Sequence, residues 1–234
     1  MNIHCKLIFF AFLLLPVCSF SQGKNIQDKW YTLKFEDHKG YMHYVVNEYA
    51  DEYEILMELR MAEGGIFAFD AKITNEKDSF LTTKTARIDV GKRNYRHTLV
   101  GTVKKLDNSL LQWEITADKI ERIITSEYPT VDMYSSFFLL TKLNYHTKGK
   151  ILNFNMMDIK NISCDNNVSF EYTEDEKIQL GNKNVLAKKV VIEGYGSNRP
   201  AFWLNNTNEV VKIRIDDIDM ILCKKEDINL NEFQ

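Results

Sequence analysis

Apolar and polar residues alternate along most of this chain. Tyr53, Ile55, Met57, Leu59 and Met61 are separated by Glu54, Leu56, Glu58 and Arg60, all but one of them charged. Successive side chains of a strand point to opposite faces, so this alternation predicts a strand with one face in a core and the other in water. The same pattern recurs in Phe67, Phe69, Ala71 and Ile73, and in Leu111, Trp113, Ile115 and Ala117 against Gln112, Glu114 and Thr116. Further β-rich runs cover Trp30–Phe35, Tyr41–Val46, Phe80–Val90, Tyr95–Lys104, Ile151–Met157, Val168–Tyr172, Val185–Glu193, Phe202–Leu204 and Val210–Ile215. Short polar breaks at Glu63-Gly64-Gly65, Asp107-Asn108-Ser109, Gly181-Asn182-Lys183-Asn184 and Asn205-Asn206-Thr207-Asn208 hold residues that accept tight-turn backbone. Neighbouring runs are therefore expected to form antiparallel hairpins, giving a meander of about a dozen strands.

Two departures from the alternation shape the prediction. Val211, Ile213 and Ile215 are apolar at odd positions, but Ile218, Met220 and Leu222 at even ones. A one-residue slip turns every side chain over, so a bulge or a turn is required around Asp216-Asp217. The second departure follows Pro129. Thr130 is placed to cap a helix over about 131–143, with Asp132 in its first turn and Met133, Phe137 and Leu140 on one face. Tyr134, Phe138 and Leu139 add apolar surface on other sides, and a helix apolar nearly all round has to be enclosed by strands. The competing reading is a strand through Phe137–Leu143.

The ends of the chain change where the protein is expected to work. Lys6 precedes an unbroken apolar run, Leu7–Val17, and Ser19-Phe20-Ser21 supplies small residues for cleavage, so residues 1–21 read as a secretory signal peptide removed near Ser21. The run is shorter than the roughly 20 residues a membrane-spanning helix needs. Lipidation at Cys18 would tether the chain to a membrane, but Val17 stands where Gly, Ala or Ser normally precedes a lipidated cysteine, which favours release into the periplasm or medium. Residues 22–29 read as a short linker, 30–226 as a single β-rich domain and 227–234 as a C-terminal tail.

Charge and cysteines narrow the chemistry further. The chain has 30 Lys and Arg against 33 Asp and Glu, and losing Lys6 moves the net charge from −3 to −4. Nucleic acid therefore has no electrostatic foothold. After processing, Cys164 and Cys223 remain; they either bridge, as an oxidising compartment favours, or stay as separate buried thiols. His38 and His43 lie five apart, on opposite faces of one strand, and neither has a Cys or second His at a zinc-ligand spacing. Asp216, Asp217 and Asp219 lack the glycine and closing Glu of a calcium loop. No nucleophile elbow or glycine-rich phosphate loop is present, so no catalytic residue, metal or cofactor is assigned. The aromatics are the remaining lead. Tyr41, Tyr44, Tyr49 and Tyr53, with Trp30, Trp113 and Trp203, can stack on a sugar, line a cavity or simply fill a β core.

Several short motifs carry a family resemblance. His38-Lys39-Gly40-Tyr41 follows the first strand, Tyr128-Pro129-Thr130-Val131-Asp132 enters the helix, and the chain closes on Val190-Val191-Ile192-Glu193, Ala201-Phe202-Trp203-Leu204-Asn205 and Val210-Val211-Lys212-Ile213. This layout resembles uncharacterised secreted bacterial β families similar to LolA-type periplasmic lipoprotein carriers. The Ser-Phe-Ser-Gln leader ending resembles secreted proteins of the Bacteroidetes group. The resemblance implies a mainly β protein whose long antiparallel meander curls into an incomplete barrel around one helix, with an apolar interior. The expectation is a non-enzymatic envelope protein that binds a lipid or other apolar small molecule, with Tyr44, Trp113, Met133, Phe137 and Trp203 as ligand-binding residues. The alternatives are a carbohydrate-binding or protein-interaction module with a row of exposed aromatics, and a hydrolase using an acidic pair.

Overall fold

The computed structural model describes residues 23–35, 38–62, 66–92, 95–107, 109–195 and 199–233. The expected leader and Cys18 lie outside them, as do Glu63-Gly64-Gly65 and Asn108. Among the described residues, fifteen strands form one sheet around one α-helix. The first eight strands are β1 (Lys24–Phe35), β2 (His38–Glu48), β3 (Glu52–Ala62), β4 (Ile66–Glu76), β5 (Thr83–Lys92), β6 (Tyr95–Lys105), β7 (Leu110–Ala117) and β8 (Ile120–Glu127). A short β9 (Thr130–Asp132) leads into α1 (Met133–Lys142). Then follow β10 (Gly149–Asp158), β11 (Ser163–Leu180), β12 (Lys183–Glu193), β13 (Ala201–Leu204), β14 (Val210–Ile215) and β15 (Ile218–Cys223).

The sheet starts in its middle. From β1 the strands walk in sequence order to one edge at β8, and from β15 they walk backwards to the other edge at β9. β1 and β15 join the two halves, with Leu33 opposite Met220. The edges are thus consecutive in the chain, and the sheet curls into a barrel closed except at one seam between β8 and β9. Register shifts at Asn25/Gln27, Thr74/Asn75 and Tyr172/Glu174 are bulges of the kind that bend long strands. At the seam Asn155 of β10 reaches across, its backbone N–H donating to Pro129 O at 2.8 Å and its side-chain amide to Glu127 O at 2.9 Å.

β9 and β10 run parallel, with Val131 opposite Met156. Parallel neighbours need a crossover, and α1 is that crossover, carried through the barrel interior. Tyr134 through Leu140 are buried without interruption, so the enclosure expected from its all-round apolar surface is observed. The cap differs from expectation. Asp132 is the N-cap, its Oδ1 accepting from the backbone N–H groups of Tyr134 and Ser135 at 3.0 Å each, whereas Thr130 lies in β9.

Other boundaries also differ. Residues 24–29, expected as a linker, are the first half of β1. β8 escaped the pattern because it is exposed along most of its length, and an edge strand solvated on both sides need not alternate. β11 runs well past Tyr172, because its polar continuation pairs with β12 as a hairpin arm. The slip at Asp216-Asp217 is a two-residue turn, with Ile215 paired to Ile218 and Asp216 in left-handed backbone at φ 52°. The C-terminal tail packs on the outer face of the sheet, where the Phe233 ring meets Tyr41 edge-on at 5.2 Å.

Most buried side chains form a single interior cluster. A smaller one lies on the outer face, where Ile178 and Ala187 of the β11–β12 arm fold over Trp203, Val211 and Val191. This second layer buries both faces of β13, which explains why all four of its residues are enclosed.

Candidate functional site

Helix and barrel do not fill the interior completely. Beside α1 lies a cavity of about 650 Å³, within the range of small-molecule sites. Its apolar wall is rich in methionine: Met42, Met57, Met61 and Met220 from the strands and Met133 from the helix, with Leu33, Phe69 and Phe137. The strand order assembles this wall. Leu33 pairs with Met220 on one side and Gly40 on the other, Gly40 pairs with Met61, and Met42 pairs with Leu59 between Met57 and Met61. Unbranched thioether side chains adapt their shape, so such a wall can repack around apolar guests of different outline.

The opening of the cavity is polar. Lys160, Asn161, Ser163 and Asp216 are exposed there, together with Asp158, Asp165 and Tyr195. Asp158 anchors this lip. Its Oδ1 accepts from the Asn161 backbone N–H at 3.0 Å, and its Oδ2 accepts from the Asn161 amide at 2.7 Å and the Tyr195 hydroxyl at 2.8 Å. The same hydroxyl lies 3.1 Å from Met133 Sδ, which ties the lip to the start of the helix. Burial, then the neighbouring carboxylates of Asp158, Asp165 and Asp216, push the Tyr195 hydroxyl far above its ordinary pKa, so it remains a neutral donor. Three carboxylates against Lys160 make the opening unfavourable to an anionic head group and compatible with a neutral or cationic one.

A second cavity of about 500 Å³ lies at the other end of α1. Its lining is more polar, with Gln27, Lys29, Thr141, Lys142 and Glu209 beside Tyr31, Tyr44 and Val210. Lys29 and Glu209 form an ion pair at its edge.

Between the strands and the helix start sits a fully enclosed polar group that sequence reading overlooked. Asn75 and Ser135 exchange hydrogen bonds at 2.9 and 3.1 Å, and Thr83 donates to Asp132 Oδ2 at 2.8 Å. All four residues are buried. Burial raises the Asp132 carboxyl pKa against the lowering effect of its hydrogen bonds. Asp132 was visible in the sequence as a helix-start signal, but its partner Thr83 is 49 residues away in the chain, and Asn75 is 60 residues from Ser135, so neither pairing carries a local pattern.

The expected ligand-binding residues divide. Tyr44, Met133 and Phe137 line the interior spaces, Phe137 facing both. Trp113 does not reach either one. It is fully buried, and its indole N–H donates to Ser126 Oγ at 2.9 Å, bracing β7 against β8 beside the seam. Trp203 faces outward beneath the hairpin arm, donating to Glu176 at 2.8 Å with Lys212 Nζ 4.6 Å above its ring. Cys164 and Cys223 are free thiols on strands separated by β12, β13 and β14, so no bridge joins them. His43 stacks on Trp30 at 3.8 Å and lies 2.8 Å from Asp28. Among the described residues no helix is long and apolar enough to cross a membrane.

No protein-family model and no curated protein matches this chain. The chain is similar to a solved structure, the crystal structure of a β-barrel-like protein of domain of unknown function DUF1849 from Brucella abortus. The match covers 84% of this chain and 95% of that one, at 12% identity and a TM-score of 0.57. The chain is thus similar in fold to a β-barrel-like protein of unknown function, a likeness of architecture that transfers no ligand or activity.

Proposed function

We propose that this protein is an exported, non-enzymatic binding protein that holds a lipid or other apolar molecule inside its barrel. The observation that carries this reading is the methionine-lined cavity of about 650 Å³, apolar in depth and polar at its opening. That arrangement suits an amphiphile, whose body leaves water while its head stays hydrated. The leader-like Leu7–Val17 run and the LolA-type layout of the sequence support the same reading. So does the position of Met133 and Phe137 on the enclosed helix. The carbohydrate-module alternative loses two of its aromatics, because Trp113 and Trp203 are not on an exposed surface.

The test is direct. The mature chain, purified without detergent, is titrated with the neutral apolar dye phenylnaphthylamine and inspected by native mass spectrometry. Saturable dye uptake or a co-purifying apolar molecule is expected. Absence of both removes the proposal.

A further inference from the structure

We infer that the two interior cavities are halves of one groove, and that Met42 and Phe137 form the septum that limits how long an apolar ligand the barrel accepts. This inference rests on the binding function proposed above. Met42 and Phe137 line both cavities, and the remaining walls continue from one to the other along the same elements. On β1 the wall passes from Leu33 in the apolar cavity to Tyr31 in the polar one, the next inward residue. On β14 it passes from Ile215 to Ile213 in the same way. Neighbouring inward positions on a strand are about 7 Å apart, so the partition is about one layer of side chains thick. Met42 projects into that layer from β2 and Phe137 from the middle of α1, and both are buried. The Phe137 ring is held by Tyr44 at 6.0 Å and Phe202 at 5.2 Å, whereas Met42 is an unbranched chain. The septum therefore has one anchored side and one side that shortening opens.

The experiment measures displacement of phenylnaphthylamine from the mature protein by monoacylglycerols carrying octanoyl, dodecanoyl or hexadecanoyl chains. These ligands share a neutral head, so only chain length varies. In the wild type, affinity should rise from octanoyl and then stall, because a longer chain has no further apolar wall to cover. In Met42→Ala the hexadecanoyl chain should gain about tenfold relative to dodecanoyl. Phe137→Leu tests the other side of the septum, with melting temperature recorded to confirm folding. Leu59→Ala is the control: Leu59 pairs with Met42 but lines only the apolar cavity, so it adds volume without opening the septum. The inference is overturned if the hexadecanoyl to dodecanoyl ratio stays within about twofold of wild type in both folded septum variants, or if Leu59→Ala shifts it equally. If dodecanoyl displaces the dye but septum variants change nothing, the septum fails and the binding function stands. If the dye binds but no monoacylglycerol displaces it from the wild type, the septum fails and the binding function stands; if the wild type takes up no dye and carries no co-purifying apolar molecule, both fail.

Discussion

Thr83 donates a hydrogen bond to Asp132 at 2.8 Å, joining the first residue of β5 to the cap of the interior helix. The same carboxylate accepts two helix N–H groups, so one buried side chain fixes where α1 starts and how it sits against the sheet.

Titration of Asp132 should be visible in stability. Burial raises its carboxyl pKa in the folded protein, so folding favours its protonated form. The stability associated with that proton is fully present below the ordinary carboxylate pKa and falls as pH rises through the higher folded value. Asp132→Asn keeps the cap and removes the titration; its stability relative to wild type should increase from acid to neutral pH in urea melts. Asp132→Ala should lose about 1–2 kcal/mol at either pH, because the cap itself is gone.

The tryptophans should separate by accessibility. Trp113 and Trp203 are enclosed, whereas Trp30 is partly exposed. Acrylamide should quench mainly the Trp30 fluorescence, and Trp30→Phe should abolish most of the quenchable signal. Trp113→Ala should destabilise by about 3–5 kcal/mol as a large core deletion, measured by urea unfolding. Quenching carried mainly by Trp113 would contradict its place beside the seam.

Both thiols should be present and slow to react. Burial pushes Cys164 and Cys223 up to about 11, leaving little thiolate at neutral pH. Ellman's reagent should label the native protein slowly, faster as pH rises toward that value. Unfolding without reductant should release both thiols, and recovery of none would mean that they are bridged.

Filling the apolar cavity should block it. Met61→Trp places a larger side chain into open space, so phenylnaphthylamine affinity should drop about tenfold while the melting temperature holds or rises. Unchanged dye affinity in the folded variant would place the dye elsewhere.

Much of this architecture was legible in local pattern. The alternation over Tyr53–Met61 is β3, that over Phe67–Ile73 falls in β4, and the apolar helix after Pro129 is enclosed as its composition demanded. Of the residues lining the apolar cavity, Met133 and Phe137 were singled out in the sequence, both on that helix. Trp113 and Trp203 were not separable from them, because a large aromatic satisfies a cavity wall, a seam brace or an outer cluster equally well.

The sequence by itself determined which segments extend, which one coils and which residues share a face, because these follow from backbone periodicities of two and 3.6. Tertiary structure alone decided what each face meets. Leu33 meets Met220 only because the first and last strands close the sheet. The outer face of β13 is dry only because a hairpin arm from β11 and β12 folds over it. The methionines form one wall only because β1, β2, β3 and β15 are neighbours in the sheet. Local alternation records that a side chain leaves water, whereas the covering surface comes from residues far away in the chain, brought there by closure of the barrel.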